Sequence, residues 1–310
     1  MPDAFNAVTD PRWVLSHEGY NVQTENAVES RFAFGNGFLG MRAARSISRG
    51  PTWTSWLGYM QWASWPRCYV AGLFDIPNMG PPVPALVPVA DWSRVRIVID
   101  GDPLLAREGE FIAGKRRLDM RRGALLSEWK HKTTGGIATD GREVRLLSLA
   151  DRAIGLQFLR LTLDRSDVDV RMEASFGLAG LGMDPVQLDP DLGVWRTEGT
   201  HRSVAMAGAA NLRLDGVLLE PKRPFSLRWV WQWRSIAGQV IELDRLVAVA
   251  RANPREDNPA PRAAAALAPN TVVGWRNVAS AHEAAWKERW DAGDVIIEGD
   301  DQAEQAAPHD

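Results

Sequence analysis

Residues 168–176 alternate one by one. Val168, Val170, Met172, Ala174 and Phe176 fall on one side; Asp169, Arg171, Glu173 and Ser175 fall on the other. That rhythm belongs to a strand with one buried and one wet face, the antiparallel case. Residues 225–234 repeat it, with Phe225, Leu227, Trp229, Trp231 and Trp233 sharing a side. Such a tryptophan ladder reads as core or interdomain packing, with a sugar-stacking platform as the alternative. Residues 154–163 are apolar on both sides, as a strand covered on both faces would be. Further strands are expected over 69–75, 95–99, 124–132, 142–149, 194–197, 201–207, 211–220 and 239–249. The turn signals Asp100-Gly101, Gly135-Gly136, Asp140-Gly141 and Asp215-Gly216 fall among them. Proline-rich 76–88 reads as an ordered loop rather than a strand.

The style changes after Arg251. Residues 253–269 are rich in Pro and Ala and read as a linker. Val278, His282, Trp286 and Trp290 then recur every four residues, a helix stripe. A short extended piece over 294–298 and a second helix starting at Asp300 are expected to follow. Many short strands with the helices last exclude a βαβ protein and predict an antiparallel sandwich or barrel. The expected division is a β domain over 1–252 and a linker with helical segment over 253–310.

Other classes drop out on charge and residue type. The 36 basic and 39 acidic residues leave a net charge of −3, without the basic field that nucleic acid or an anionic membrane attracts. No apolar run is long enough to span a membrane, and the N-terminus lacks the pattern of a signal peptide. With the lone Cys68 this makes a cytoplasmic location the expectation. The five histidines are scattered, so no zinc site is expected, and Cys68 has no histidine nearby in sequence. Glu128 with His131, and Glu198 with His201, are each three apart, and either histidine could serve an epimerase as acid. Surface charge at strand ends accounts for them more simply.

Between Glu29 and Arg42 the chain reads ESRFAFGNGFLGMR. Three glycines within six residues, set among aromatics, predict a tight turn anchored on both sides. The spelling fits a dinucleotide fingerprint, but Gly50-Pro51 breaks any following helix. No acid occurs between Ser30 and Phe74 to hold a ribose. The alternative is a loop that offers Asn36, Arg42 and backbone N–H groups to a polar ligand. Trp53, Trp56, Trp62 and Trp65 read as an aromatic cluster under a loop, with a cleft rim as the alternative.

This stretch resembles the opening motif of the N-terminal domain of glycoside hydrolase family 65, which includes maltose, trehalose and kojibiose phosphorylases and acid trehalases. Three further blocks are similar in the same order: YVAGLFDIP from Tyr69, RLDMRRGAL from Arg117 with Trp129, and a last one made of residues 286–290, 294–300 and 302–307. The resemblance implies a mostly β, large antiparallel β-supersandwich of the galactose-mutarotase-like type. A C-terminal helical linker would lead into an (α/α)6 catalytic barrel. It implies that the general-acid glutamate lies beyond Asp310, that this chain is a truncated or split product, inactive alone, and that none of its residues is catalytic. Phe34, Asn36, Gly37 and Arg42 become candidates for a substrate rim. The implied partners are an α-glucoside disaccharide, the separate barrel and a second copy in a homodimer. No cofactor is implied; inorganic phosphate would be a co-substrate if the parent is a phosphorylase. A stand-alone sugar-binding sandwich and a mutarotase-like epimerase remain the alternatives.

Overall fold

The computed structural model describes residues 6–21, 23–47, 68–76, 83–104, 111–177, 182–223, 225–252 and 258–294, with backbone alone at 111–113. The tryptophan-rich stretch 53–65, the extended piece expected at 294–298 and the second helix from Asp300 lie outside the described residues, apart from Asp294 itself.

The described residues form three layers. The central layer is a ten-stranded antiparallel sheet. Its members include β1 (Val14–Glu18), β8 (Phe111–Asp119), β9 (Ala124–Lys132), β10 (Ala138–Leu147) and β11 (Ile154–Leu163). Beyond these come β18 (Ile241–Arg251), β15 (Ser203–Leu214), β14 (Leu192–Thr197) and β13 (Met183–Leu188), with β16 (Val217–Leu219) paired to β15. Two four-stranded sheets form the second layer. One holds β17 (Arg228–Arg234), β12 (Asp169–Gly177), β6 (Asp91–Ile99) and β7 (Asp102–Pro103). The other holds β2 (Phe34–Gly35), β3 (Leu39–Met41), β4 (Cys68–Asp75) and β5 (Ala85–Val89). One apolar core joins these sheets: Leu159, Leu161, Met206 and Val247 from the large sheet meet Ile97, Met172, Trp229, Leu39 and Val70 from the small ones.

The third layer is a long helix, α2 (Ala260–Gly293), on the opposite face of the large sheet. β11 shows why its sequence is apolar on both sides. Leu159, Leu161 and Leu163 point into the inter-sheet core, while Ile154, Leu156 and Phe158 meet α2. The Phe158 ring stacks on Trp275 with centroids 3.9 Å apart. The expected antiparallel sandwich followed by helix is thus the fold.

Several local expectations need correction. α2 begins at Ala260, inside the stretch expected to be a linker; Pro259 stands at its N-cap, and alanines over 263–266 favour helix. The helix breaks at Gly274, whose φ of 80° and ψ of 161° suit glycine. Asp140-Gly141 is no turn: both lie within β10, because the Trp129 indole of the neighbouring strand lies across Gly141, where a Cβ would sit 2.2 Å from it. Residues 85–89 form a strand despite Pro88, since β5 is the edge of its sheet and an edge tolerates a missing N–H. Strand β17 begins only at Arg228; Leu227 has a φ of 53° and Phe225 is exposed, so neither continues the ladder. Trp229 and Trp231 are buried core residues.

Candidate functional site

The glycine-rich stretch folds as a short helix, α1 (Glu25–Arg31), followed by the tight hairpin of β2 and β3. Gly37 holds a φ of 83° in the hairpin turn. A turn between two strands is not the strand–turn–helix of a dinucleotide site, so that reading falls. Asn36 is buried and fully engaged. Its Oδ1 accepts from the N–H groups of Phe38 and Leu39 at 3.0 and 2.7 Å. Its Nδ2 donates to the carbonyls of Ser148 and Arg152 at 2.7 and 3.0 Å. One side chain thus ties the hairpin to the turn between β10 and β11.

That second turn is shaped by its own polar groups. Ser148 Oγ accepts from the Asp151 N–H, and Asp151 Oδ1 accepts from the Ala153 N–H. The Leu149 N–H donates to His282 Nδ1 at 3.1 Å, and His282 Nε2 bonds the Arg122 carbonyl at 2.7 Å. With Nδ1 accepting, the imidazole is neutral and carries its proton on Nε2. Burial, opposed by that carbonyl and by Glu283, lowers its pKa to about 4.

The last turns of α2 complete the wall. Trp290 Nε1 donates to the Arg121 carbonyl at 2.9 Å, and its ring meets Trp13 edge to face at 4.8 Å. Trp286 stacks on Trp290 at 5.7 Å and lies over Gly123, where a Cβ would overlap the indole. Together Gly35, Asn36, Gly37, Leu149, Arg152, Trp286, Arg289 and Trp290 line a pocket of about 360 Å³. Among the described residues its charged side chains are both cations, Arg152 and Arg289, and both are exposed. Such a lining can stack a ring and attract an anion; among the described residues it offers no carboxyl to donate a proton.

The candidates from sequence separate here. Asn36 and Gly37 stand on the pocket wall. Phe34 is half-buried and packs against the core instead. Arg42 turns toward α1, donating to the Asn26 carbonyl at 2.8 Å and to Ser30 Oγ at 2.9 Å. Arg152 and Arg289 gave no signal in the sequence, since the pocket joins three segments far apart in the chain. Trp286 and Trp290 were legible only as a helix stripe.

Glu128 and His131 do not converge. Glu128 and His131 lie three apart on β9, which puts them on opposite faces; Glu128 pairs with Arg117 while His131 is buried. His201 is exposed in the turn after β14, with a φ of 52°. β9 and β14 are five strand steps apart, about 24 Å at ordinary spacing. Cys68, the first residue of β4, is buried in the core between the sheets. Among the described residues no group of three or more His, Cys, Asp or Glu side chains could hold a metal, and no helix is long and apolar enough to cross a membrane.

Comparison with known proteins adds the lineage. The sequence profile of the family described as glycosyl hydrolase family 65, N-terminal domain, matches residues 15–289. A kojibiose phosphorylase of Thermoanaerobacter brockii is 24% identical over 152 residues, 49% of this chain and 18% of that protein. An uncharacterised glycosyl hydrolase of Mycobacterium tuberculosis is 24% identical over 320 residues, 95% of this chain and 40% of that protein. A solved putative kojibiose phosphorylase from the human microbiome superposes with a TM-score of 0.76 at 16% identity, over 96% of this chain and 40% of that one. The chain therefore spans two fifths or less of the length of these relatives.

Proposed function

The chain belongs to the glycosyl hydrolase family 65 N-terminal domain family, and from that premise we propose that it is the non-catalytic support domain of an inverting phosphorylase or hydrolase acting on α-glucosyl disaccharides. The division proposed is a β-supersandwich over 1–252 and a helical connection over 253–310. In this reading the glutamic acid that protonates the leaving oxygen belongs to a separate catalytic barrel. Inverting hydrolysis needs two carboxyls about 6.5–9.5 Å apart around a sugar and its water. The observation that carries the reading is the pocket's lining: among the described residues its charged groups are Arg152 and Arg289, the wrong sign for that chemistry. The buried acids serve the scaffold instead. Asp75 accepts the N–H groups of Gly199 and Thr200; burial alone would raise its pKa, and these bonds bring it below the ordinary value. Asp119 accepts the N–H groups of Val8 and Arg122, and burial raises its pKa.

Within the parent enzyme, the Gly35–Gly37 turn would shape the rim of the substrate cleft, with Asn36 and Gly37 acting through the backbone. The test is the coding sequence next to this chain. An (α/α)6 barrel, in frame or in a shifted frame, supports the reading. A stop followed by unrelated sequence would replace it with a free-standing sugar-binding sandwich, for which Trp286 in the pocket is the supporting feature.

A further inference from the structure

We propose that the pocket between the Gly35–Gly37 turn and the end of α2 binds a small phosphate monoester, its dianion engaged by Arg152 and Arg289 and the ring it carries resting against Trp286. The inference stands on the pocket alone and does not require the family reading.

Charge decides the class of ligand. Two guanidinium groups line one concave site without an acid among its described lining residues. Among the described residues neither Arg152 nor Arg289 forms an ion pair or a side-chain hydrogen bond, although ion pairs satisfy many arginines elsewhere on this surface, such as Arg12, Arg160 and Arg234. Like charges gathered at one pocket repel, and a dianion relieves that repulsion. The planar fork of a guanidinium also matches two oxygens of a phosphate, which a neutral sugar lacks.

Shape decides the rest. A volume of about 360 Å³ falls in the range of small-molecule sites and exceeds what a bare phosphate fills. Leu149 and the two indoles supply an apolar wall for a ring. The frame is pre-organised although the arginine heads are exposed. Asn36 fixes the Arg152 carbonyl, and Arg152 Nη1 lies 3.6 Å from where a Cβ on Gly37 would stand, so the glycine lets the guanidinium lie close to the turn. Trp290 is fixed to the Arg121 carbonyl, which sets the direction from which α2 presents Arg289.

The test is isothermal titration of the 310-residue chain at low ionic strength with glucose 6-phosphate, adenosine 5′-monophosphate, inorganic phosphate and glucose. At least one monoester should bind, roughly tenfold or more tighter than glucose, with inorganic phosphate weaker than the better monoester. Preference for the hexose ester or for the nucleotide would each support the class and identify the ring. Arg152→Gln and Arg289→Gln should each weaken binding by roughly tenfold, with circular dichroism unchanged, and Arg289→Lys should lose less than Arg289→Gln. Glucose binding as well as its phosphate would overturn the proposal. So would full affinity in the Arg152→Gln, Arg289→Gln double variant, or no binding of any phosphate at 10 mM, a concentration about tenfold above a millimolar dissociation constant.

Discussion

Asn36 is the residue on which the candidate site turns, although its amide is engaged entirely by the protein's own backbone. Four hydrogen bonds leave its amide, two to the hairpin and two to the β10–β11 turn. Removing them strands buried donors and acceptors, each worth about 1–3 kcal/mol. Asn36→Ala should therefore destabilise the chain by about 3 kcal/mol in urea unfolding. Asn36→Asp should be no milder, since a carboxylate oxygen would face the carbonyls of Ser148 and Arg152. An Asp variant as stable as wild type would contradict this account. The sequence made Asn36 visible through its glycine neighbours and suggested a loop that offers polar groups. It could not show that the amide points inward, because the two carbonyls it holds lie more than a hundred residues away. Buried charge was equally hidden. Arg245 lies inside β18 and donates to the carbonyls of Trp92 and Arg94; burial lowers its pKa to about 9, so it stays charged at neutral pH. Nothing in strand periodicity marks an arginine that crosses between layers.

At the scale of elements, the long helix is held to the sheet by aromatic packing and by one neutral imidazole. His282 lies in the stripe that the sequence shows as Val278, His282, Trp286 and Trp290, and all but Trp286 are buried. That stripe was legible because helical spacing survives in any context. The earlier half of α2 was not, because Pro269 and the alanine-rich run look like a linker, and only Ala260 and Ala263 of this half, before the break at Gly274, are buried against the sheet. The imidazole makes the attachment sensitive to acid. The unfolded histidine titrates near 6.5 and the folded one near 4, so as pH falls the unfolded chain takes up its proton first. The stabilisation is complete above about pH 6.5 and is lost as pH falls toward 4. The 2.5-unit gap corresponds to about 3 kcal/mol at most. Urea midpoints of wild type and His282→Gln, compared from pH 7.5 to 4, should converge by up to that amount. A difference that stays constant with pH would mean that the imidazole is not held neutral.

For the whole molecule, the layered architecture was the most legible feature. Alternation in β12, double-sided burial in β11 and glycine turns such as Asp100-Gly101 each reflect a local rule that the sheet obeys. What escaped were features set by a neighbouring strand: Gly141 inside β10, Pro88 on an edge, Leu227 outside its ladder. The resemblance to family 65 placed the chain in its lineage, and the layered fold agrees with it. The central claim is that this β-supersandwich supports catalysis without containing the proton donor that cleaves a glycosidic bond. The direct measurement is turnover by the purified 310-residue chain, incubated with kojibiose, maltose and trehalose, each with and without inorganic phosphate. Released glucose and glucose 1-phosphate are then quantified. The account predicts neither product above a protein-free control. Sustained release of either, scaling with the amount of the chain, would contradict it.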